Sequence, residues 1–97
     1  MLGFKILKVT GESMEPVIPA GCFILASKWL LLFPMHAGQR LVINHPKFGV
    51  IVKTIALIDK HGFIWSKGEN NTSLSVEELG PVDKGHIIGQ VSRVFKN

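Results

Sequence analysis

Short runs of alternating or β-branched apolar residues, each closed by a cluster of turn-forming residues, recur along this whole chain, and that rhythm dictates a β-sheet. Phe4, Ile6 and Lys8 alternate with Lys5, Leu7 and Val9, which predicts a first strand over residues 4–9. Further strands are predicted at Cys22–Ala26, Arg40–Asn44, Gly49–Ile58, Gly62–Ser66 and His86–Phe95. The intervening segments carry glycine, proline, asparagine and aspartate, residues that supply the dihedrals and local hydrogen bonds of turns. Across Asp59-Lys60-His61-Gly62 the two flanking runs read as a hairpin. The one helical expectation is a turn within Ser73–Leu79, with Ser75 capping Val76-Glu77-Glu78 and Gly80-Pro81 ending it. The 97 residues show no repeat, low-complexity tract or linker. They read as one domain over 1–97, mainly β, a single curled antiparallel sheet or partial barrel.

A hydrophobic fraction of 46% with 19% charged residues supplies a packed core rather than a disordered chain. The lone Cys22 has no internal disulfide partner. A formal charge of +4 permits anionic partners without demanding them; with no tyrosine and no Lys/Arg run, nucleic acid is not an expected partner. The most apolar stretch, Trp29–Phe33, is bounded by Lys28 and Pro34, far short of the roughly 20 residues that span a bilayer as a helix. Residues 1–9 alternate in polarity and lack the continuous apolar stretch of a secretory signal. The expectation is a soluble cytoplasmic protein. Trp29–Phe33 is expected to fold over the sheet; the alternative is a peripheral membrane contact flanked by Lys28 and Arg40.

Two residues stand out chemically. Ser13 leaves the first strand through Gly11 and sits on a turn, supported on one side and open on the other, where a hydroxyl can serve as nucleophile once a base takes its proton. Lys53 lies in Val50–Ile58, the most apolar strand. Ile51, Lys53 and Ile55 face one way while Val50, Val52 and Thr54 face the other, so apolar neighbours surround the amine. Desolvation disfavours the ammonium, and a neutral lysine accepts a serine proton. Taken alone, Ser13 also fits a turn-capping serine and Lys53 an edge-strand lysine. His36, His45, His61 and His86 show no ligand spacing and read as solvated loop residues; no metal or other cofactor is expected. A triad with Asp59 or Asp83 stays open, because triads are defined by geometry. Cys22 reads as a small buried apolar group.

Gly11-Glu12-Ser13-Met14-Glu15-Pro16, then Ile18-Pro19-Ala20-Gly21 and Ile51-Val52-Lys53-Thr54-Ile55, resemble successive boxes of the serine–lysine peptidases. That group includes the type I signal peptidases, the LexA-type repressors and the maturation protease of nickel-containing superoxide dismutase. The likeness continues through Gly68–Ser73, Leu79-Gly80-Pro81-Val82 and Ile87–Val91, in order along nearly the whole chain. It implies Ser13 as nucleophile, Lys53 as general base, Ser73 as a hydroxyl that orients the lysine, and the Ser13 backbone amide as oxyanion donor. It also implies Met14 and Pro16 at the substrate, and cleavage of extended peptides after small residues, as in leader removal or maturation. The chain departs from the pattern at Gly11, where some signal peptidases place a second oxyanion hydroxyl, and at Cys22, Gln39, Ser75 and Glu77, where acidic or arginine residues are usual. Those departures motivate the alternative of a catalytically degenerate peptide-binding module. A self-cleaving repressor needs a DNA-binding segment ahead of the nucleophile, and with twelve residues before Ser13 it is not expected.

Overall fold

The computed structural model describes residues 3–96. Seven strands form: β1 Phe4–Lys8, β2 Phe23–Ser27, β3 Arg40–His45, β4 Gly49–Ile58, β5 Ile64–Lys67, β6 Pro81–Val82 and β7 Ile87–Phe95. They join in one sheet in the order β1-β2-β7-β3-β4-β5-β6, and every neighbouring pair is antiparallel. The architecture is mainly β, a single curled half-barrel sheet, as the alternation predicts. The curl is visible in one groove, which is lined by β1 on one side and β4 on the other although three strands separate them in the sheet order.

Local chemistry explains the connections. Gly49 at φ +75° closes the β3–β4 hairpin and Gly62 at φ +86° closes β4–β5, positions that side-chain-bearing residues rarely adopt. Asp59 locks the second turn by accepting from the amides of His61 and Phe63 and from the Trp65 indole. These bonds favour the carboxylate and hold its pKa below the ordinary value. Helix α1, Val76–Leu79, begins at a full capping box: Ser75 Oγ accepts from Glu78 N–H, and the Glu78 carboxylate accepts from Ser75 N–H.

The β3–β4 hairpin runs between two apolar clusters, so its sequence is apolar on both faces. Val42 and its partner Val52 pack with Val9, Met14, Ile18 and Ile24. On the other face Leu41, Ile43 and Ile55 pack with Ile64, Val82 and Ile87. Ile51 joins this second cluster, and Lys53, paired with Leu41, shares its face.

Several details depart from the sequence expectation. The two-residue β6 and the 3-10 turns Trp29–Leu32 and Lys84–His86 carry too little periodicity to be read from composition. His45 is not a solvated loop residue: it is 5% exposed, its Nε2 bonds the Leu79 carbonyl at 2.7 Å, and its Nδ1 accepts from the amides of Lys47 and Phe48. One ring thus ties the β3–β4 turn to the end of α1, which draws it inward despite the neighbouring Pro46. His36 and His61 are exposed, as expected of loop residues. The Trp29–Phe33 segment is divided: Leu31 packs on the second cluster while Leu32 and Phe33 are 85% and 59% exposed. Cys22 is buried, as an apolar reading requires. Among the described residues, no helix is long and apolar enough to cross a membrane.

Candidate active site

Ser13 occupies a tight turn anchored by its neighbour. Met14 is 1% exposed in the first cluster, and its carbonyl accepts from Ile18 N–H at 2.8 Å. Three donors converge on the Ser13 carbonyl: Glu69 N–H at 2.7 Å, Asn70 N–H at 2.9 Å and Ser73 Oγ at 2.9 Å. The preceding carbonyl, that of Glu12, accepts from Asn70 Nδ2 at 3.2 Å and from Glu15 N–H at 3.0 Å. A planar trans peptide sets C=O and N–H on opposite sides. Fixing both carbonyls therefore turns the Ser13 and Met14 N–H groups away from the clamp, and among the described residues neither meets a protein acceptor. Two oriented, unengaged donors at the Ser13 turn match the requirement of an oxyanion hole.

Lys53 is 5% exposed on β4. Burial holds its amine below the ordinary lysine pKa of 10.5, because the charged form loses water without gaining a counter-ion. Its place relative to Ser13 follows from strand register. Thr54 pairs with Lys67, so one further antiparallel step sets Gly68 across from Lys53. A Cβ at position 68 would collide with Ser73 Oγ and would lie 2.6 Å from Ser73 Cβ and 2.7 Å from the Ser13 carbonyl oxygen. The absent side chain of Gly68 is thus the space in which the Ser13–Ser73 pair sits, beside the lysine strand. A second tie runs through Glu69: its amide holds the Ser13 carbonyl while its carboxylate accepts from Thr54 Oγ1, on the residue after Lys53. Among the described residues, no hydrogen bond joins Ser13 Oγ to Lys53 Nζ.

Ser13 opens on a groove of about 370 Å³. Leu7 to Gly11 form one wall, Val50 to Val52 the other, and Met14 and Ile24 lie between them. Both walls present unpaired backbone. β1 is the sheet's outermost strand, and β4 pairs with β5 only from Thr54 onward, leaving Gly49–Lys53 bonded to β3 alone. An extended chain entering here finds donors and acceptors on either side.

The structure thus brings Ser13, Met14 and Ser73 together, with Lys53 on the adjoining strand. Pro16 lies apart, lining a separate hollow with Glu15, Glu69 and Asn70. The Ser73 hydroxyl donates to the Ser13 carbonyl, and among the described residues it shares no hydrogen bond with Lys53. Asp83 pairs with His86 at 3.1 Å and Asp59 serves its hairpin turn; neither contacts Ser13. Among the described residues, no cluster of His, Cys, Asp or Glu has the makeup of a metal site. Sequence reasoning missed the clamp by Glu69 and Asn70, whose only signal was the Gly-acid-Asn order at 68–70. Comparisons with protein-family models, curated proteins and solved structures found no match to this chain.

Proposed function

We propose that this protein is a serine endopeptidase in which Ser13 is the nucleophile and Lys53 the general base. The observation that carries the reading is the burial of the Lys53 side chain on the strand facing Gly68, where the vacant side-chain position is filled by the Ser13 carbonyl and Ser73 hydroxyl. An extended peptide lies between β1 and the unpaired half of β4. Ser13 Oγ attacks the scissile carbonyl carbon while its proton passes to Lys53 Nζ, and the oxyanion takes hydrogen bonds from the turn's amides. Collapse breaks the C–N bond, and Lys53 returns the proton to the departing amine. Water then gives a proton to Lys53 and attacks the ester, and the second collapse breaks the C–O bond as Lys53 returns that proton to Ser13 Oγ. Preference for small residues at the cleaved bond, and a role in leader removal or maturation, rest on the resemblance to serine–lysine peptidases.

The test is a mass-spectrometric survey of a peptide library incubated with the native protein and, as blank, with the Ser13→Ala variant. New termini following small residues are expected only with the native protein. Tight binding of peptides without any new terminus would replace this reading with that of a binding module built on the same groove.

A peripheral contact with an anionic bilayer is proposed for the Trp29–Phe33 turn. Leu32 and Phe33 project, exposed Phe4 lies on the adjoining strand, and Lys28 stands among them. Sedimentation with phosphatidylserine vesicles at low salt is expected for the native chain and lost for the Leu32→Glu/Phe33→Glu variant. Equal sedimentation of both proteins would remove the membrane contact.

A further inference from the structure

Among the described residues, Asn70 alone bonds both carbonyls of the Ser13 turn. Its backbone N–H donates to the Ser13 carbonyl at 2.9 Å, and its Nδ2 donates to the Glu12 carbonyl at 3.2 Å. The first bond fixes the peptide plane whose N–H belongs to Met14, the second the plane whose N–H belongs to Ser13. Both unengaged donors of the candidate oxyanion hole thus take their direction from one residue, 58 positions along the chain from Glu12.

The carboxamide is held one way round. Oδ1 accepts from Thr72 N–H at 3.0 Å and from Thr72 Oγ1 at 2.9 Å. A backbone amide can only donate, so Oδ1 is the atom that faces Thr72 and Nδ2 is left for Glu12. The Asn70 carbonyl accepts from Ser73 N–H at 2.9 Å, which ties the residue to the third member of the clamp. The two carbonyls of the turn are not equally supported. That of Ser13 has three donors from the loop after β5, whereas that of Glu12 has only the Asn70 side chain from outside the turn. Its other donor, Glu15 N–H, belongs to the turn itself and moves with it. A side chain needed only to receive Thr72 could equally be aspartate, which accepts both bonds. The donor on Nδ2 is what aspartate lacks.

We propose that Asn70 is a positioning residue of the oxyanion hole, its carboxamide setting the Ser13 N–H toward the oxygen that gains charge when a groove-bound peptide is attacked. The proposal rests on the peptidase reading for its purpose, while the orientation it describes is measurable without any substrate. The backbone of the clamp thereby serves the Met14 N–H and the Asn70 side chain the Ser13 N–H.

The experiment measures N–H residual dipolar couplings in the 15N-labelled full chain and in Asn70→Asp. That variant keeps the side chain's size, the backbone donor and both bonds from Thr72, and sets an acceptor against the Glu12 carbonyl in place of the donor. The coupling of the Ser13 N–H is expected to change, while those of the Met14 N–H and of the strands keep their native values. Asn70→Ala, which adds no charge, moves the Ser13 coupling as well. On a cleaved peptide, kcat falls about 10²-fold in Asn70→Asp and about tenfold in Asn70→Ala at unchanged KM, because the misaimed donor is lost to the oxyanion and not to the bound substrate. In the native protein itself, 15N relaxation is expected to show the Ser13 N–H as rigid as the strand amides, so one outcome does not depend on any variant folding. A mobile Ser13 N–H in the native protein, a coupling unmoved in both variants, or a native kcat in a variant whose coupling has moved overturns the proposal. A moved coupling in a protein that cleaves no peptide upholds the orienting bond and overturns the peptidase reading instead.

Discussion

Methionine in place of Lys53 lowers kcat/KM on a cleaved peptide by at least about 10³-fold and at the same time makes the fold more resistant to heat. The two effects have one cause. The side chain is buried, and the pKa of its amine is lowered by desolvation, so the folded protein resists a proton that the unfolded chain accepts. The sign follows from linkage. Above pH 10.5 both states are neutral at this residue and nothing is lost. As pH falls below 10.5 the unfolded chain binds the proton first, and the contribution of Lys53 to stability declines until the lower folded pKa is reached. Methionine has similar length and no charge to bury, so its melting temperature at neutral pH exceeds that of the native protein. Catalysis runs the other way. On the proposed mechanism only the neutral amine takes the Ser13 proton, so activity is expected to rise with pH through the lowered pKa of Lys53, at pH values below the usual lysine range. Calorimetry and a pH–rate profile check both limbs. A profile flat from pH 6 to 10, or native turnover by the methionine variant, would remove Lys53 from the mechanism.

A valine at position 68 is expected to reduce kcat by about 10²–10³-fold while the sheet persists, a loss comparable to that of an oxyanion donor. The side chain would have to occupy space held by Ser73 Oγ and the Ser13 carbonyl. One of the two must give way, and in either case the clamp on Ser13 opens. Its three bonds set the direction of the turn's amides, so their disruption misaims the oxyanion donors and withdraws the nucleophile from the lysine strand. Ser73→Ala removes only one of the three bonds and leaves the Glu69 and Asn70 amides in place, so its loss is about tenfold or less. The order native, Ser73→Ala, Gly68→Val in kcat, with circular dichroism unchanged, is the expected result. Equal activity of native and Gly68→Val proteins would show that the clamp does not act on the chemistry.

How much of this was legible beforehand depends on the range of the interactions involved. Strands β1 to β5 and β7 follow from local alternation and turn chemistry, and the Ser75 cap from four adjacent residues. The two faces of β4 were readable because Ile51, Lys53 and Ile55 alternate with Val50, Val52 and Thr54, and the clusters divide along that line. The clamp was not readable. It joins Ser13 to residues 69, 70 and 73, nearly sixty positions away, through two backbone amides that carry no sequence signature and one serine hydroxyl. His45 was misjudged for a related reason: its carbonyl partner sits at Leu79, and the adjacent proline signals a turn without revealing what packs over it.

The bare flanks of β1 and of the first half of β4 carry an implication for which polypeptides the gap between them admits. A polypeptide that has already folded keeps its amides and carbonyls occupied and offers no free ribbon to insert. Tails, linkers and segments not yet folded do. On the peptidase proposal, selection at this gap would fall first on conformational freedom and only then on side chains, so a processing event would be timed by the folding state of its client, and finished proteins nearby would be spared.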